Sequence, residues 1–107
     1  MIVRAQWDGD VATVTVHGEV DMLSAGVLRD CLTGVVEHSP VGLIVDLAGV
    51  EFLDSAGVTV LVQTYKKLTD GCRAVLRSPQ PGPRRVLELT GLNTVWTVDP
   101  PDSPVVL

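Results

Sequence analysis

The sequence predicts an α/β domain: a mixed β-sheet of about five strands with helices packed mainly on one face. Three observations carry this prediction. Short segments alternate apolar and polar residues, longer segments space their apolar residues three and four apart, and glycine or proline clusters separate the two kinds. Strands joined by helices of such length require right-handed crossover connections, which set the helices against one side of the sheet.

Ile2 to Trp7 reads as the first strand, and Asp8-Gly9-Asp10 supplies a hairpin turn. In the second strand Ala12, Val14 and Val16 face one way and Thr13, Thr15 and His17 the other; it ends at Gly18-Glu19-Val20-Asp21. From Met22 to His38 the residues Leu23, Val27, Leu28, Cys31, Leu32, Val35 and Val36 have helical spacing. Asp21 or Ser24 caps its start, and Ser39-Pro40 stops it, because a residue before proline avoids the helical region. Gly42 to Ala48 is nearly continuous apolar sequence broken by Asp46, as expected for a central strand covered on both faces.

A short connection through Phe52 leads to a helix opened by Asp54-Ser55-Ala56-Gly57, with Val58, Leu61, Val62, Tyr65 and Leu68 as its stripe. Gly71 suits its left-handed end. Cys72 to Leu76 follows as a strand, and Ser78-Pro79-Gln80-Pro81-Gly82-Pro83 as an irregular loop. Arg84 to Thr90 is a third helix with Val86, Leu87 and Leu89, closed by Gly91-Leu92; Val95 to Val98 is the last strand. The remainder, about 99–107, is too rich in proline for a helix of any length.

The 107 residues make one domain, and 46% of them are apolar, which fits a folded chain. The net charge of −5 disfavours nucleic acid, whose phosphates need a basic footprint that eight Lys and Arg do not provide. No apolar run reaches bilayer length, so no membrane span is expected. Met1-Ile2-Val3-Arg4 does not open like a signal peptide, so the expected location is cytoplasmic. Cys31 and Cys72 form neither a metal spacing nor a CxxC motif, and are expected as small buried side chains in a reducing compartment. Trp7 and Trp96 are expected to pack, and Lys66-Lys67 and Arg84-Arg85 to be solvated helix ends.

The chemistry-bearing feature is Ser55, a hydroxyl at the start of a helix. N–H groups there lack intrahelical partners and the helix dipole favours negative charge, so a phosphate on Ser55 would meet a site prepared for an anion. The plainer role of Asp54 or Ser55 is to cap the helix. Four residues alone favour the plainer role.

The wider pattern overturns it. Gly18-Glu19-Val20-Asp21, Val45-Asp46-Leu47, Phe52-Leu53-Asp54-Ser55-Ala56-Gly57 and Leu89-Thr90-Gly91-Leu92, in this order and spacing, resemble the STAS domain, over roughly residues 2 to 98. A chain of this size is similar to the stand-alone anti-sigma factor antagonists of that family. The resemblance implies binding to an anti-sigma factor that is itself a serine kinase of histidine-kinase-like ATPase fold, with release of its sigma factor. It implies Ser55 as the phosphorylation site that switches binding off, and a serine phosphatase that restores it. It also implies a partner surface of Asp21, Asp54, Ser55, Ala56, Gly57 and Thr59, Thr59 standing where the family usually has a smaller residue. Many relatives end with a further amphipathic helix; here that helix is either shortened or replaced by the proline-rich tail. The alternative within the fold is an accessory subunit of an ABC-type lipid transporter, binding the ATPase subunit by the same helix end.

An enzyme is the remaining rival. Ser55 with His17 or His38 lacks a Gly-x-Ser-x-Gly elbow and any oxyanion hole, so no catalytic residue, cofactor or metal ligand is expected.

Overall fold

The computed structural model describes residues 1–101; the expectations for residues 102–107 lie outside the described residues. Five strands run in the order β1 (Ile2–Asp8), β2 (Val11–Val20), β3 (Gly42–Leu53), β4 (Arg73–Arg77) and β5 (Thr97–Asp99), both in sequence and across the sheet. The hairpin pairs β1 and β2 antiparallel, and all later pairs are parallel. Helices α1 (Ala25–Val36), α2 (Ser55–Lys67) and α3 (Pro81–Thr90) make the three crossovers, and a short 3-10 turn, Leu92–Thr94, precedes β5.

Because strand order follows sequence order, crossovers of one hand place the helices on the same side. The core lies between them and the sheet. Ala12, Val14 and Val16 of β2, Leu43, Val45 and Leu47 of β3, and Ala74 and Leu76 of β4 are buried there, with Val14, Val45 and Leu76 in register. From the helices come Leu28 and Leu32 of α1, Val60 and Leu61 of α2 and Leu87 of α3. Trp96 is buried among them, donating its indole N–H to the Leu61 carbonyl at 3.1 Å, while Trp7 stays exposed with its ring edge-on to His38.

Among the described residues the opposite face carries no helix, which corrects the expectation that β3 is covered on both sides. Ile44 and Asp46 are only half-buried, and Asp46 accepts from Arg77 on β4 at 2.9 Å. The apolar run of β3 reflects its central position in a two-layer fold.

Several boundaries differ from expectation for identifiable reasons. β3 runs on through Phe52, absorbing two irregularities against β2 that break the alternation between Ala48 and Leu53. Helix α3 starts at Pro81, three residues early: the first helical turn needs no N–H donors, so Pro81 and Pro83 are tolerated there. Gly91 ends it in the left-handed conformation, with Leu92 buried beyond, but Leu89 is exposed. In α2 the buried arc is Gly57, Val60, Leu61 and Thr64; the Thr64 hydroxyl donates to the Val60 carbonyl, so a polar residue is hidden while Tyr65 stays outside against the Trp96 ring. The helix ends at Lys67, and Gly71 serves the turn after it. The last strand starts at Thr97, two residues late, because the 3-10 turn occupies Leu92 to Thr94.

Candidate functional site

β2 and β3 are parallel and end together, with Val20 opposite Leu53. The residues that follow, Asp21 and Asp54, therefore lie side by side at one end of the sheet, and the Asp54 N–H donates to the Val20 carbonyl at 3.1 Å. Helices α1 and α2 both start from this end.

Asp54 is the N-cap of α2. Its carboxylate accepts from the N–H groups of Ala56 at 2.8 Å and Gly57 at 3.4 Å, and its carbonyl accepts from Val58 N–H. Ser55 is the first helical residue; it is exposed, and among the described residues its hydroxyl makes no hydrogen bond. This revises one expectation. The helix end is a prepared anion site, but the Asp54 carboxylate already takes the Ala56 and Gly57 amides, leaving the exposed Ser55 its own N–H.

One turn along, the Thr59 hydroxyl donates to the Ser55 carbonyl at 2.9 Å, leaving an exposed threonine on the same face as Ser55. Ala56 is half-buried against the core. Gly57, expected at the partner surface, is buried: a Cβ there would stand 2.8 Å from Val20 Cγ1 and closer still to Leu53 Cδ1. Its role is to let the first turn of α2 sit against the ends of β2 and β3.

Asp21 is turned inward on its own loop. Its Oδ1 accepts from the N–H groups of Leu23 at 3.0 Å and Ser24 at 2.9 Å, and the Ser24 hydroxyl lies 2.9 Å from it. That hydroxyl oxygen also accepts from the Asp21 N–H and lies 2.8 Å from the Glu19 carbonyl. The hydrogen bonds from the Ser24 side chain and backbone hold the half-buried Asp21 carboxyl below its ordinary value. This closed turn delays α1 to Ala25, so Met22 and Leu23, expected inside the helix, stand outside it at 80% and 93% exposure. Sequence reasoning missed them as surface residues because helical spacing continues through them. The Asp-x-x-Ser pattern of Asp21 and Ser24 was the available signal.

The histidines are placed elsewhere. The ring of His17 lies over the Gly49 backbone, where a Cβ would overlap it, and His38 follows the far end of α1 with its Nδ1 2.9 Å from the Gly34 carbonyl. Cys31 and Cys72 are free and half-buried, and burial pushes both thiols up. Among the described residues no three His, Cys, Asp or Glu side chains group as metal ligands, and no helix is long and apolar enough to cross a membrane.

The sequence pattern of the STAS domain matches residues 3–100, and the chain belongs to that family. It is 32% identical over 86 residues to the anti-sigma-F factor antagonist RsfB of Mycobacterium tuberculosis, covering 80% of this chain and 70% of RsfB. Among solved structures it is similar to an anti-sigma factor antagonist from Mycobacterium paratuberculosis, with a TM-score of 0.88 and 35% identity over 94% of this chain and 86% of that one. The Bacillus cell fate determinant SpoIIAA in its phosphorylated form shares the fold, with a TM-score of 0.71 and 19% identity over 91% of this chain and 90% of that one. The mixed five-stranded sheet with its helices on one side agrees with these neighbours.

Proposed function

We propose that this protein is an anti-sigma factor antagonist switched by phosphorylation of Ser55. Its partner is an anti-sigma factor that is also a serine kinase of histidine-kinase-like ATPase fold; a serine phosphatase reverses the modification, and the cycle runs in the cytoplasm. The observation that carries this reading is the exposed Ser55 hydroxyl on the first turn of α2, beside Asp54. Support comes from the relatives named as antagonists and from the phosphorylated state in the name of the SpoIIAA structure.

The chemistry at Ser55 belongs to the kinase, which brings ATP, magnesium and a base; the substrate need only offer a reachable hydroxyl. Phosphate adds about 1.5 to 2 negative charges. With the helix end filled by Asp54, this charge faces the docked partner, beside the carboxylates of Asp21 and Asp54. A loss of about 3 kcal/mol, one or two good interface contacts, weakens binding roughly a hundredfold.

The test is incubation with a cognate anti-sigma kinase and ATP, read by intact mass. One phosphate is expected, absent in Ser55→Ala. Undiminished modification of Ser55→Ala would overturn the site.

A further inference from the structure

At the end of the sheet that carries Ser55, just after Asp21, the chain displays exposed apolar side chains. Met22 and Leu23 are among its most exposed large apolar residues, and Val27, four residues after Leu23 and early in α1, is more than half exposed. Isolated exposed leucines need no explanation, whereas neighbouring ones commonly mark a contact surface. These three lie close together in sequence, starting one residue after Asp21.

Their display is fixed. The Asp21 carboxylate and the Ser24 hydroxyl between them close the turn on both sides of Met22 and Leu23 with bonds of 2.9 to 3.0 Å. A held turn loses less freedom on binding than a mobile loop, so its side chains contribute more of their burial to affinity. The turn is also continuous with the Ser55 surface. Val20, immediately before it, touches the first turn of α2 at Gly57, and Asp54 is hydrogen-bonded to the Val20 carbonyl.

We infer that Met22 and Leu23, with Val27 behind them, are the apolar anchors of the partner surface, and that the anti-sigma partner carries an apolar recess next to the site receiving Ser55. This rests on the antagonist reading and adds its recognition chemistry. Phosphate at Ser55 governs whether the complex forms, and the anchors set how tightly and with which anti-sigma factor. Asp21 acts as a positioning residue through the turn.

The experiment compares the wild type, the Met22→Ser/Leu23→Ser double variant and Ser55→Glu. Titration calorimetry is run against the purified anti-sigma factors of the parent genome, beginning with the one the wild type binds most tightly. Full burial of one such side chain changes an equilibrium by about 10- to 100-fold, so the double variant is expected to raise Kd by at least about 10-fold. Its binding heat-capacity change should be less negative, the mark of lost apolar burial. Its melting temperature should match the wild type, because both side chains are solvent-exposed before binding. Equal Kd for wild type and double variant, with Ser55→Glu weakened, would overturn the anchors and leave the antagonist reading standing. Binding by the wild type to none of the anti-sigma factors would overturn the reading and the anchors with it. Self-association of the wild type, abolished in the double variant whose anti-sigma affinity is unchanged, would assign the residues to a second copy and equally overturn the inference.

Discussion

Replacing Gly57 by alanine tests how the first turn of α2 is seated. Alanine is ordinarily favoured over glycine in a helix, by about 0.5–1 kcal/mol. Here the new methyl would meet Val20 Cγ1 at 2.8 Å and approach Leu53 Cδ1 more closely still. Both neighbours are buried, and Val20 is stiff at its branched Cβ, so neither can swing aside into water. Overpacking of this kind costs about 1–3 kcal/mol, and the stiffness of the pocket puts it in the upper half of that range. After the gain in helix propensity, a net loss of about 1–2 kcal/mol is expected. For a domain near this size that lowers Tm by roughly 5–10 °C. Urea denaturation should show a lower midpoint with an unchanged slope, the signature of altered stability without altered compactness. A Gly57→Ala protein as stable as the wild type, or more so, would refute the close seating of α2 on Val20 and Leu53.

Asp54→Ala removes the acceptor of two helix N–H groups and should cost about 1 kcal/mol, while Asp54→Asn, which keeps a cap oxygen, should lose much less; matched denaturant curves of the two variants decide it. Acid should destabilise the fold through Asp21 and Asp46. At Asp46 burial pushes the carboxyl up, but the Ala48 N–H and Arg77 outweigh it, so both groups lie below their ordinary value near 3.8 when folded. A lowered carboxylate pKa contributes stability that is present above the unfolded value and lost as pH falls through the folded one. The midpoint of urea unfolding should therefore be steady above about pH 5 and fall below pH 4. In Asp46→Asn that fall should be shallower, and an identical acid profile would contradict the Arg77 pairing.

The strands were legible because alternation is a local property: Ala12, Val14 and Val16 announce their shared face without reference to any other segment. Helix starts were less so. The Asp21–Ser24 turn competes with the first turn of α1 through side-chain hydrogen bonds, while the apolar spacing of Leu23 and Val27 reads on as if the helix had begun. Asp54 and Ser55 were visible as a helix start because capping depends on residues two and three apart. The burial of Gly57 was not, since it depends on Val20, thirty-seven positions earlier in the chain and brought near only by the parallel pairing of β2 with β3. The uncovered face of β3 was hidden for a related reason: an apolar run records how central a strand is, and says less about how many layers flank it.

The occupied end of α2 has a consequence for what kind of device this helix start can be. With the Ala56 and Gly57 amides held by Asp54, and the Val58 amide by its carbonyl, a group placed on Ser55 has only one local amide left to recruit, its own. On the proposed reading, the domain would then be a poor spring and a good signboard: a phosphate at Ser55 would find little in the fold beneath it to reorganise, and would act through the molecule that docks there.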